Sequence, residues 1–274
     1  VIEEDWAALE HRLGVLPLLG AFFAPGAELA EVVAGRKLGA LGLFTPTPEP
    51  GWGTVAGVAA EPSGGGAVLH GAVRLPSAAA DGSLVLVRLA EAEHRLAWLD
   101  HGAPGVERRG PMPQQIPCWL QIDGATAGPA LLSRPVTLAQ DGELVRHLEA
   151  YASAWAAAAA GCARDGVRAL RRAARLAGFQ ASQLVAQGIT EVEIEADLTA
   201  SAVRRTGGLA VAAAAARTLG AVAARTAELR DVFGLDVDGP LAQGSAGALT
   251  AFLGGSLLLE SALARHLGIG EAHG

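Results

Sequence analysis

The chain has 274 residues, a formal net charge of −7 and an apolar fraction of 51%. That length sets a prior of one large domain or two modest ones with ample material for a core, and the acidic balance excludes a broad nucleic-acid footprint. Only 4% of residues are aromatic, so alanine- and glycine-rich helices are expected to pack closely through small side chains. One lysine, Lys37, stands against 20 arginines, a skew that reads as a GC-rich genome and not as chemistry. Cys118 and Cys162 lie far apart with no metal-ligand spacing, which points to a reducing, cytoplasmic setting. The N-terminus "VIEEDWAALEHRL" is acidic and polar, unlike a secretory signal. The most apolar window, 208–224, contains Arg217 and is mostly alanine, which favours a buried helix of a soluble protein over a membrane span.

Three textures follow one another. Over 1–38, "DWAALEHRLGVL" and "GAELAEVVAGRKL" carry apolar residues at helical spacing, with Pro25-Gly26 between them. Over 39–135, short apolar runs alternate with turns: "LGALGLF", "GTVAGVAA", "GAVLHGAVRL", "SLVLVRL", "HRLAWLD" and "PCWLQID". Turn signals stand at "EPSGGG" (61–66), "ADG" (80–82) and "DHGAPG" (100–105), and "PMPQQIP" (111–117) reads as a loop. Short strands at this spacing predict a small β-barrel or sandwich. From Asp141, a predicted N-cap, the pattern is helical to the end. Thr190 with Glu193 three residues on predicts the capped start of a second helix, ending at Gly207-Gly208. A third helix follows over 209–233, and a fourth is expected after Pro240, broken at Gly254-Gly255.

The stretch 91–101 groups Glu91, Glu93, His94, Asp100 and His101, but its spacing matches no standard ligand set, and a strand with a polar face is the expectation. No metal site is expected. The sequence holds no G-x-S-x-G, P-loop or H-E-x-x-H.

The order of these zones and several local phrases resemble the acyl-CoA dehydrogenase family of flavoproteins. "PEPGWGTV" (48–55) is similar to the family's TEPGAGSD, and residues 68–89 to its VNGxKxWTSxxxxADxxLLLART hairpin. "APGVERRG" (103–110) is similar to the PGV turn that follows, "VFGLDVDGPL" (232–241) to GIGVDVDYPL, and "LGGSLLLESALARHLG" (253–268) to the LGGxxxQLARLG ending. The last two phrases resemble subunits of the heteromeric actinobacterial, steroid side-chain type enzymes. The resemblance implies an α+β fold with an abbreviated N-terminal helical part (1–38), a middle β-barrel (39–135) and a C-terminal four-helix bundle (136–274). It also implies FAD as cofactor and an acyl-CoA thioester as substrate.

In that family a carboxylate removes the proton alpha to the thioester while flavin N5 accepts a hydride. The resemblance places the usual base at Gly254, and glycine takes no proton. An alternative position on the helix after the barrel falls at Tyr151, with Glu149 two residues earlier. Glu149 and Glu260 are the remaining carboxylate candidates, against a reading as solvated helix residues. Among flavin contacts, Thr54 and Ser77 keep hydroxyls, while Pro48, Leu75 and Pro76 replace a donor, a stacking ring and a second donor. Trp52 replaces a small residue near the expected flavin edge. Asp231 and Val232 stand where a glycine pair approaches the phosphates; Gly234 survives. Arg175, near Phe179, corresponds to the arginine that reaches a neighbour's cofactor, or is one of several surface arginines.

Three functions follow from these departures. The first is a catalytically silent subunit working with a homologous full-length dehydrogenase. The second is an active flavin enzyme with a relocated base, and the third a cofactor-free scaffold. The alanine runs 156–160 and 212–216 are expected to offer flat faces for a partner chain, against the alternative that they face each other within one chain. No nucleic acid or membrane partner is expected.

Overall fold

A computed structural model of the chain describes residues 7–43, 57–75, 79–89, 93–109, 118–137, 142–179, 182–206 and 208–237. They fall into two compact units that divide inside a long helix, between Tyr151 and Ala152.

The first unit begins with a helix whose π-turn, His11–Val15, continues as α1 (Leu16–Phe22). Val15, Leu18, Leu19 and Phe22 repeat at helical spacing and are buried. After the Pro25-Gly26 break come a 3₁₀ turn (Ala27–Leu29) and the one-turn helix α2 (Ala30–Val33). Seven strands follow: β1 (Gly39–Gly42), β2 (Val58–Ser63), β3 (Gly66–Leu75), β4 (Gly82–Arg88), β5 (His94–Asp100), β6 (Val106–Arg109) and β7 (Cys118–Ala127). They form one curled sheet in the order β1-β4-β2-β3-β7-β6, with β5 also on β4. Strand β6 lies in a stretch the sequence marks only as a turn.

β4 has three neighbours. β1 pairs with its first half and β2 with Val87 and Arg88, both parallel, while β5 runs antiparallel along its whole length. β2 and β3 form a hairpin closed by Gly64-Gly65, both at positive φ (57° and 84°), the type I′ geometry that suits the strand twist. The strand runs through Glu61-Pro62-Ser63, which the sequence marks as turn. Pro62 lies beyond the part of β2 that pairs with β4, an edge position where its missing N–H breaks no ladder bond.

β4 is buried on both faces. Val85 and Val87 join Leu69, Val73, Leu75, Leu120 and Ile122 in the core of the curled sheet. Leu84, Leu86, Leu96 and Trp98 are buried as well. The Trp98 indole lies across Gly39 and Gly82, which are register partners on β1 and β4. A Cβ on Gly39 would stand 2.8 Å from the ring and one on Gly82 2.3 Å from it, so two strands lack side chains where one ring passes.

Helix α3 (Glu143–Leu176) passes from the first unit into the second, where α4 (Gln183–Arg205) and α5 (Leu209–Phe233) follow. Trp155 of α3 is fully buried, and Thr199 of α4 shares a buried 2.7 Å hydrogen bond with Thr218 of α5. The capping box expected at Thr190 and Glu193 is overturned. The helix starts at Gln183, and the Thr190 hydroxyl instead donates to the Ala186 carbonyl at 2.8 Å. Helical residues run unbroken across 183–190, so no terminus exists at Thr190 to be capped. The expected N-cap Asp141 and fourth helix lie outside the described residues. Among the described residues no helix is long and apolar enough to cross a membrane.

The packing of Trp98 makes Gly82→Ala destabilising by about 1–3 kcal/mol, the usual cost of forcing a methyl into a filled site. Gly220→Ala, in α5 with nothing within 4 Å of the added carbon, is expected to stabilise by about 0.5–1 kcal/mol. Denaturant unfolding of the two variants checks the contrast; a neutral Gly82→Ala would contradict this packing.

Candidate functional site

Of the positions the resemblance singles out for the base, Tyr151 and its candidate neighbour Glu149 lie two residues apart in α3. Tyr151 is buried, and its ring packs on Gly14 of the π-turn, so close that a Cβ there would be 3.0 Å from the ring. Glu149 is half-buried. Residues two apart on a helix point to different faces, so Glu149 does not take over the direction of Tyr151. Gly254 and Glu260 lie outside the described residues.

Of the flavin-contact positions, Thr54 and Ser77 are also outside them, as are Pro48, Trp52 and Pro76. Leu75, the last residue of β3, is fully buried and belongs to the sheet core with Val73 and Val85. Gly234 caps α5 in the left-handed conformation at φ 63°, its N–H bonded to the Arg230 carbonyl at 2.8 Å. This αL cap explains the glycine without a ligand. Asp231 is exposed beside it, 3.4 Å from the Arg230 Nε, and Val232 is 66% exposed.

Arg175 lies exposed in the last turn of α3 and lines a cleft of about 290 Å³ in the second unit. Arg171, Phe179, Val185, Ile189 and Thr190 complete its wall. Arg171 is held by Glu193, whereas no carboxylate among the described residues engages Arg175. The rings of Phe179 and Phe233 meet edge to face with centroids 5.6 Å apart. Arg175 and Gly234 therefore share one end of the helical layer, while Glu149 falls in the first unit. A planar guanidinium beside an apolar wall suits an anionic group carried on a flat or apolar body.

Ala156, Ala159 and Ala160, like Ala212, Ala213, Ala215 and Ala216, are buried within the chain. Burial within the chain is the alternative the sequence left open for these positions, while Ala157 of the same run is exposed. Among the described residues of this unit, the large exposed apolar side chains are Leu176, Leu184, Ile194, Leu198 and Val232.

Two groupings of titratable residues escape a reading by sequence motif. The His101 ring bridges Ser83 Oγ at 2.6 Å and the Ala80 carbonyl at 2.9 Å, with Arg108 beside it. Burial first, then the Arg108 charge, push its pKa down to about 4, so the ring is neutral. Ser83 is fully buried, which makes this a structural link between β4 and the turn after β5 and not a nucleophile. The residues grouped at 91–101 meet separate partners: Glu93 bonds Arg95, Asp100 bonds Lys37, and Glu91 lies outside the described residues. The second grouping is Glu10 with His11. Both side chains are buried and both bond to β1, and they sit too far from it in sequence for spacing to reveal the contact.

No family model and no curated protein sequence matches the chain. Solved structures do. The ChsE4-ChsE5 complex from Mycobacterium tuberculosis superposes with a TM-score of 0.67 at 20% identity, over 95% of this chain and 75% of that one. A glutaryl-CoA dehydrogenase from Mycobacterium smegmatis in complex with FADH2 superposes with a TM-score of 0.71 at 15% identity, over 94% of this chain and 74% of that one. A variant of the Tcur3481-Tcur3483 steroid ACAD gives a TM-score of 0.70 at 17% identity, over 97% of this chain and 78% of that one. At these identities the likeness concerns architecture, and the chain has the acyl-CoA dehydrogenase fold.

Proposed function

We propose that this chain is a catalytically silent subunit of a heteromeric, FAD-dependent acyl-CoA dehydrogenase, acting beside a homologous full-length chain. The observation that carries the reading is Tyr151. At the alternative base position stands a phenol with its ring packed into the first unit, and the usual position is Gly254. Neither residue serves as a carboxylate base for the proton alpha to a thioester, and losing such a base typically costs about 10²–10⁴ in rate.

The flavin side supports the same reading. Leu75 lies in the sheet core, and the exposed Asp231 carboxylate repels phosphate where the family brings backbone close. The described residues alone do not fit a complete flavin site. Arg175 is the contribution they do offer: a cation on the rim of a cleft, suited to the phosphates of a cofactor held mainly by the partner. The fold likeness to a two-protein complex and to a steroid ACAD with a double designation favours a paired assembly. In this reading 1–38, 39–135 and 136–274 are the helical remnant, barrel and bundle domains. The acyl substrate belongs to the steroid side-chain class, and the setting is cytoplasmic.

Purified alone, the chain is expected to be colourless and to turn over no acyl-CoA with added FAD. Turnover by the lone chain, abolished by Glu149→Gln, would establish the relocated-base reading instead. Co-expressed with a full-length homologue, it is expected to co-purify as a yellow heteromer of defined mass by light scattering. A monomer that ignores that homologue contradicts the proposal. In the complex, Arg175→Ala is expected to weaken FAD retention by about tenfold or more, the usual worth of a hydrogen bond from a charged group, without dissociating the chains. Unchanged retention would remove Arg175 from the site.

A further inference from the structure

We propose that Glu10 and His11 form a proton-gated latch on the outer edge of β1, closed while both side chains are neutral and loosened when either one becomes charged.

The geometry comes first. Among the described residues β1 pairs only with β4, through its own four residues, so alternate N–H groups point away from the sheet. Two of these are taken by side chains from the turn of helix that opens the π-segment. The Gly39 N–H donates to His11 Nδ1 at 3.1 Å, and the Leu41 N–H donates to Glu10 Oε1 at 2.9 Å. Adjacent residues of one helix thus seal adjacent outward positions of a strand edge. The π-turn, which widens the helix from His11 to Val15, sits directly after them.

Each latch residue also keeps a second polar atom in the interior with nothing to bond. Glu10 is 0% and His11 2% exposed, and neither Glu10 Oε2 nor His11 Nε2 has a hydrogen-bond partner. A buried carboxylate with one oxygen bare carries a desolvation cost of several kcal/mol, which a proton removes. Burial accordingly holds the Glu10 carboxyl well above its ordinary range, against the smaller opposing pull of the Leu41 N–H. Burial likewise lowers His11, against the opposing pull of the Val32 backbone carbonyl and with a smaller push from the neighbouring Arg12. His11 must be neutral in any case, because Nδ1 accepts from Gly39. β1 carries no charged side chain, Arg12 of the π-turn does not act on the Glu10 carboxyl, and Tyr151 is the titratable group that packs against the turn from α3.

The signs are opposite for the two residues. Glu10 has a raised pKa in the folded state, so its contribution is fully present below the ordinary carboxyl range and is lost as pH rises above it. His11 has a lowered one, so its contribution is present above the ordinary imidazole range and is lost as pH falls. The inference stands without the proposed function, since it concerns one unit of the chain alone.

The test uses the full chain. Infrared spectra taken above the ordinary carboxyl range are expected to contain the carbonyl band of a protonated carboxylic acid, absent in Glu10→Gln. Across pH 5–8.5 the wild-type unfolding constant is expected to rise by up to tenfold per pH unit relative to that of Glu10→Gln, the limit for one proton. His101 and the ion-paired carboxylates titrate alike in both proteins and cancel in the comparison. Hydrogen exchange at the Leu41 amide, corrected for intrinsic rate, is expected to quicken with rising pH in the wild type only. Parallel pH profiles for the two proteins overturn the proposal. So does a wild-type spectrum with no protonated carboxyl band anywhere above the ordinary carboxyl range, a measurement that needs no variant to fold.

Discussion

Everything in the first unit leans on β4, a seven-residue strand with neighbours on both edges and side chains buried on both faces. Its first half takes β1 and its second half β2 on the same edge, while β5 closes the other edge. A strand buried on both faces must read as a continuous apolar run, and "SLVLVR" does. The constraint spreads outward from it. Trp98 on β5 covers the strand from one side, so Gly82 on β4 and Gly39 on β1 must both lack a side chain. Val15, at the end of the π-turn, stands on the same spot: an added Cβ on Gly39 would lie 2.9 Å from it. One ring thus fixes two strands and the helical turn above them.

The β1 edge shows the same dependence from the polar side. Leu38, Gly39 and Leu41 give their N–H groups to Asp81, His11 and Glu10 in turn. An unprotected strand edge is a template for unwanted pairing, and covering it with side chains from a helix removes that liability. The cost is two buried titratable groups with bare polar atoms, and the burden is tolerable while both stay neutral.

Much of this was legible in the sequence. β3, β5 and α5 lie where alternation, helical spacing and turn residues place them, because each is bounded by a strong signal: Gly64-Gly65, the Asp100 turn and Gly234. β6 was hidden because four residues with two arginines carry no alternation, and its pairing with β7 comes from the sheet. The start of α4 was misplaced by eight residues because Thr190 and Glu193 imitate a cap, while Thr190 in fact bonds back to Ala186 within the helix. The alanine runs could not be divided between interior and surface, because spacing shows that a face is small-sided and not what covers it. The phenol at Tyr151, where the resemblance sets the alternative base, was readable, but its packing against Gly14 was not, since 137 residues separate the two. The same holds for Glu10 and β1.

The central claim is that this chain lends fold and surface to a reaction performed on another chain. The most direct measurement is an anaerobic reductive titration of the purified two-chain complex with its acyl-CoA substrate, counting flavin bleached per chain. A silent subunit predicts one reducible flavin for every pair of unlike chains. Two reducible flavins per pair, one on each chain, would contradict the account.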